Sequence, residues 1–152
     1  METVYPALLA IHSWLRWVVL ILALVVIIRG AMGMSSKGPF TNGDRKNGLF
    51  FMISCDIQLL IGLLLYFWAS PLGVSAFQTM GGEVMKNSEL RYYAVEHIFV
   101  MIVAIVLVHI GYSKNKKAVS DLTKHKTALI FYGIALLLML SRIPVGSRPL
   151  FR

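Results

Sequence analysis

Cysteine is nearly absent from this chain: Cys55 is the only one, and it falls inside an apolar stretch. A lone thiol excludes an intrachain disulfide, and with no C-x-x-C-H sequence covalent c-type haem attachment is excluded as well. Acidic residues are scarce, 7 Asp and Glu against 15 Lys and Arg, for a net charge of +8. The basic residues gather in short segments between apolar runs, which fits membrane orientation and contact with anionic lipid headgroups. No nucleic-acid partner is expected from that distribution. A basic segment ahead of the first apolar run is missing too, and no small-residue cleavage site follows a short core. That run therefore reads as a retained first helix rather than a cleaved signal peptide.

Apolar residues are abundant. They make up 57% of the 152 positions, with a mean hydropathy of +0.72, an average that a water-soluble domain of this length rarely reaches. Four apolar stretches account for it, so residues 1–152 are expected to form one all-α integral membrane domain, an up-down-up-down bundle of four transmembrane helices. The first helix is expected over Ala7–Ile28, followed by a polar loop from Arg29 to Gly48 with turn-forming Lys37-Gly38-Pro39 and Asn42-Gly43-Asp44. The second is expected over Leu49–Ala69 and ends at Ser70-Pro71. Leu72–Arg91 is too polar in its later half to span. The third helix is expected over Tyr92–Tyr112, then a basic loop from Ser113 to Lys126. The fourth runs over Thr127–Val145 and stops near Pro144, leaving the tail Gly146–Arg152.

Counting Lys and Arg gives an orientation. The two loops on one side carry nine, from Arg29, Lys37, Arg45 and Lys46 to the run Lys114–Lys126. The other side carries six (Arg16, Lys86, Arg91, Arg142, Arg148 and Arg152), together with Glu2, Glu83 and Glu89. The richer side is expected to be cytoplasmic, with both termini outside, in a cell inner membrane. Tryptophans and tyrosines near the helix ends fit an interfacial belt.

Both halves of the chain share one layout: a helix with a histidine near its outer end, a basic loop, and a returning helix. His12 and His97 occupy equivalent places, each 17 residues ahead of a basic residue that leaves the membrane, Arg29 and Lys114. At about 1.5 Å rise per residue the two imidazoles lie at nearly one depth. In a bundle with short connections, helices one and three stand on a diagonal, so the two rings are expected to face each other across its centre. That is the arrangement a six-coordinate haem iron requires. Taken singly, either histidine is explained as well by a hydrogen bond between helices.

Other residues fall in place around that pair. Ala94 and Ala104 share the His97 face on an ideal helix, and Gly62 lies near the same depth on helix two, where small residues would let a flat ring approach the backbone. Close helix packing explains them too. Arg16, one turn from His12, needs an anionic partner at depth, and a haem propionate suits a guanidinium. Arg142 is a second propionate candidate and Arg91 a third, better placed to snorkel. Glu96 points about 100° away from His97 and is expected to pair with Arg16 or Arg142, or to hold a proton. Asp56 and Gln58, at mid-depth, fit a structural hydrogen bond or a quinone site. His109 is 12 residues after His97, about 120° around the helix, so no second stacked haem is expected; His109 reads as interfacial and His125 as solvated.

Three stretches carry a family resemblance: Ile11-His12-Ser13-Trp14-Leu15-Arg16-Trp17-Val18-Val19-Leu20, Gln58-Leu59-Leu60-Ile61-Gly62, and Arg91-Tyr92-Tyr93-Ala94-Val95-Glu96-His97. Together with the Ser113-Lys114-Asn115-Lys116-Lys117 loop and Ile143-Pro144, the chain resembles small bacterial four-helix membrane proteins labelled cytochrome b-like. The resemblance implies a non-covalent b-type haem with His12 and His97 as ligands. The expected function is electron transfer through one haem b near the outer face, with a quinol or a redox protein as partner and a quinone as a further cofactor. The alternative is a haem-free accessory subunit whose basic loops dock a partner or lipid. A homo-oligomer or a larger complex is compatible with either. A proton-coupled transporter using Glu96 and Asp56 ranks third, because no broken helix or substrate path is legible.

Overall fold

The computed structural model describes residues 4–143, and every regular element among them is helical. Helix α1 spans Val4–Ser36 and α2 spans Asn42–Leu64, extended by a π-helical stretch Leu65–Ala69. The short α3 (Val74–Met80), a 3-10 turn (Gly81–Met85) and α4 (Ser88–Arg91) make a cap over one end. A second π stretch, Tyr92–His97, leads into α5 (Ile98–Lys117), and α6 covers Asp121–Ser141. Four segments are long and apolar enough to cross a membrane: Val4–Ser36, Asn42–Met85, Ser88–Lys117 and Asp121–Ser141.

These four segments form the expected bundle. Helix α1 packs on α2 and α6, and α5 packs on the same two, so α1 and α5 stand on the diagonal. The fourth helix, expected to reach Val145, ends earlier, at Ser141; Pro144, the tail Gly146–Arg152 and Glu2 lie outside the described residues.

The helices run further than their apolar runs. Helix α1 continues two turns past Ile28, and the loop behind it shrinks to residues 37–41. Asn42-Gly43-Asp44, expected as a turn, is instead the first turn of α2. Thr41 caps it: its hydroxyl accepts from the Asp44 amide at 3.2 Å, and the Asp44 carboxylate accepts from the Thr41 amide at 2.9 Å. Asp44 also pairs with Arg29 at 2.7 Å, which ties α1 to the start of α2 and keeps Arg29 within a helix. Ser120 caps α6 in the same way, accepting from the Thr123 amide, so the basic loop contracts to residues 118–120.

Buried and exposed residues are distributed as lipid demands. The core is small and tightly fitted: Val19, Ala23 and Val26 of α1, Phe51 and Cys55 of α2, Ala104 and Val108 of α5, and Ala128, Tyr132 and Ala135 of α6. Outside lie apolar stripes at helical spacing, such as Ile11, Trp14, Val18, Ile21, Leu24 and Ile28 on α1. With lipid tails as apolar as leucine, association depends on close packing, and small residues provide it. Gly111 is a tight point between α5 and α6; a β-carbon there would stand 2.6 Å from Phe131 Cβ.

Gly111→Ala should therefore push α5 and α6 apart and cost about 1–3 kcal/mol, seen as a lower unfolding temperature in detergent. Gly133→Ala, where an added β-carbon meets nothing within 4 Å, should leave stability unchanged or slightly raised. Equal effects of the two would contradict this packing.

Candidate functional site

The His97 ring is positioned by two departures from a regular α-helix. The π stretch Tyr92–His97 inserts an extra residue into the turn ahead of α5, rotating α4 and the cap relative to α5. Across the bundle, α6 ends at Arg142, whose carbonyl has no helical partner because the chain turns away there (φ −127°, ψ 25°). His97 Nδ1 reaches that carbonyl at 2.9 Å, and the Tyr92 hydroxyl donates to the same oxygen at 2.7 Å. A carbonyl only accepts, so Nδ1 carries the proton and Nε2 keeps its lone pair.

His12 comes from the diagonal helix. Its ring centroid lies 6.5 Å from that of His97, with the planes at 66°. Its Nδ1 is buried and has no hydrogen-bond partner among the described residues. The ring rests against Gly62 of α2, where a β-carbon would come within 3.2 Å of His12 Cε1. Glycine makes the room that the imidazole occupies. Gln58, four residues before Gly62, donates through Nε2 to the His12 carbonyl at 2.9 Å and fixes α1 against α2 at this level. Its Oε1 is buried without a partner among the described residues.

Both imidazoles line one cavity of about 180 Å³ together with Arg16, Gln58 and Gly62, and with apolar walls that include Leu20, Leu59, Met101 and Ile105. The Arg16 guanidinium lies 5.6 Å from the centre of the Trp17 ring. A second π stretch, Leu65–Ala69, closes α2 at this same end, so both irregular turns of the bundle flank the histidines. Such turns recur at functional sites because they re-aim side chains at the cost of regular hydrogen bonding.

Of the residues singled out in the sequence, His12, Arg16, Gly62 and His97 meet here, whereas Ala94 and the Arg142 side chain do not line the cavity. Counting 3.6 residues per turn puts Ala94 on the His97 face, and the π stretch breaks that count. It is buried instead among Ala76 and Val84 under the cap, its carbonyl accepting from the Tyr66 hydroxyl at 3.0 Å. Arg142 serves the site through its main chain. Its guanidinium stands 3.6 Å from Glu96, which also takes Arg91 at 2.9 Å, so Glu96 pairs with Arg142 and Arg91 rather than with Arg16. Ala104 is in the main core.

The remaining histidines lie elsewhere. His109 meets Asp56 at 2.7 Å on the outer surface between α2 and α5. His125, expected in solvent, is 2% exposed, packed edge-on to Phe40 at the basic end and lying where a Gly33 side chain would be. A short basic loop, not a long one, explains it: the α6 cap at Ser120 draws His125 into the bundle. The two features that sequence periodicity could not reveal, the Arg142 carbonyl and the π turn, are both main-chain matters.

Comparison with protein families, with curated proteins and with solved structures finds no match. The chemistry available is therefore read from the donor set. Among the described residues no group of three or more His, Cys, Asp or Glu side chains is placed to hold a metal ion. Two facing imidazoles supply two ligands only, so a metal held between them has to bring the rest with it.

The tautomer of His97 is open to direct measurement. Nitrogen-15 spectra of histidine-labelled, ligand-free protein should show Nδ1 protonated and Nε2 bare. A proton resident on Nε2 would contradict the bond to Arg142.

Proposed function

We propose that this chain is a membrane cytochrome of the b type, holding one haem between His12 and His97 and passing electrons within the bilayer. The observation that carries the reading is the 6.5 Å separation of the two ring centroids. Two imidazoles that share one metal ion through bonds of about 2 Å would place their centroids roughly 6–6.5 Å apart. The planes stand at 66° to each other, and two imidazoles can hold one metal ion at any mutual twist.

The residues present suit the group. His97 would ligate through Nε2, with its Nδ1 proton held by the Arg142 carbonyl, the support that ligating imidazoles ordinarily have. His12 would ligate from the other side, its ring seated on Gly62. Arg16 lines the same cavity, where its guanidinium would suit an anionic propionate. When bound, haem b supplies one-electron exchange between ferric and ferrous iron. With His12 and His97 both engaged, the group would have no free coordination site for oxygen, which would favour electron transfer over ligand chemistry. The partners that fit are a lipid-soluble quinol or a redox protein at the histidine end, and the inner membrane, with that end outward, is the setting the loop charges favour.

A second reading is a haem-free accessory subunit whose basic loops dock a partner or lipid. The cavity volume of about 180 Å³ favours it, being below the several hundred cubic ångströms usual for ligand sites.

Absorption spectra of protein purified with ample haem decide between the two. Sharp, split visible bands on reduction are expected, lost in His12→Ala and in His97→Ala and weakened by Gly62→Leu. His125→Phe, at the far end, should leave them unchanged. A colourless, folded preparation would establish the accessory reading instead.

A further inference from the structure

Asp56 and His109 form the one carboxyl–imidazole contact among the described residues, at 2.7 Å, and the bundle does not cover it. Their side chains are 44% and 47% exposed, on faces of α2 and α5 that belong to membrane-crossing segments. One turn away the exposed residues on α2 are aliphatic, Ile53 and Leu60, and those on α5 are Val106 on one side and Ser113 on the other. Hydrocarbon offers no hydrogen bond to the free carboxyl oxygen or to the second imidazole nitrogen, so something polar has to reach them from the lipid side.

We propose that this pair is the binding site of a quinol head group, a flat ring with hydroxyls at opposite edges that arrives dissolved in the bilayer. One hydroxyl donates to Asp56, and the hydrocarbon tail lies along the aliphatic flanks. The seam between α2 and α5 is the least extensive of the four between neighbouring helices. A second copy of the chain is the competing occupant. Helices that associate in lipid use small residues to bring backbones together, and the flanks here are chiefly branched aliphatics.

The site also neighbours the histidine cavity. Cys55, beside Asp56, and Ile105, one turn before His109, are part of that cavity's wall. As the source of electrons for a haem, the quinol site rests on the function proposed above; as a binding site it stands on the Asp56–His109 geometry alone.

The test uses the full chain in lipid nanodiscs, with and without added haem, and a decyl-tailed benzoquinol as probe. Binding is expected in both preparations and in His12→Ala, and Asp56→Asn and His109→Gln should weaken it about tenfold. Asp121→Asn, at the basic end, should bind as the parent chain does. A photoreactive benzoquinone should label α2 and α5 beside the pair in the parent chain, which keeps the test decisive if a variant fails to fold. Unchanged affinity in both variants, or labelling elsewhere, would overturn the proposal. So would a pair whose replacement only converts a dimer to a monomer. Absence of a haem spectrum together with intact quinol binding would count against the cytochrome reading and leave this one standing.

Discussion

Two imidazoles held 6.5 Å apart across the diagonal of a four-helix bundle are the constraint on which the functional reading depends. Neither ring is placed by its own helix alone. The His97 ring is oriented from α6, by a carbonyl that becomes available because the helix ends at Arg142. The His12 ring is admitted by α2, through the missing side chain of Gly62. All four crossing segments therefore contribute to one geometry. A shift of either neighbour would alter the distance between the rings, so the bundle's packing and the site's chemistry are one problem.

Lipid as solvent explains how the rest of the chain supports that arrangement. Burying apolar surface gives little advantage between helices already surrounded by hydrocarbon, so the core relies on small residues that fit closely, Ala23, Ala104, Ala128 and Ala135 among them. Polar contacts hold the two ends. At the basic end Thr41, Asp44 and Arg29 join α1 to α2. At the histidine end Glu96, Arg91 and Arg142 do the same for the turn before α5 and the end of α6. Between them, Gln58 is tied to the His12 carbonyl at the level of the cavity.

Much of this is legible in the residues. Composition and apolar periodicity give the four long apolar helices and their order, and equal spacing from Arg29 and Lys114 points to the pairing of His12 with His97, whose rings stand 6.5 Å apart. The departures have two physical sources. Helix ends shift where a capping residue, Thr41 or Ser120, extends a helix through polar sequence that resembles a loop. Side-chain directions fail where the backbone leaves 3.6 residues per turn, and this is why Ala94 lies under the cap rather than beside His97. Arg142 stands out in the sequence for its charge, yet its main-chain oxygen is the part that meets His97.

The central proposal is that His12 and His97 would together hold one haem iron. Low-temperature electron paramagnetic resonance of the oxidised, haem-loaded protein tests it most directly, because two strong imidazole ligands impose a low-spin ferric state. The expected result is a low-spin ferric signal in the parent chain, absent from the protein when either histidine is replaced by alanine. A high-spin signal in the parent chain, or no protein-bound iron at all, would contradict it.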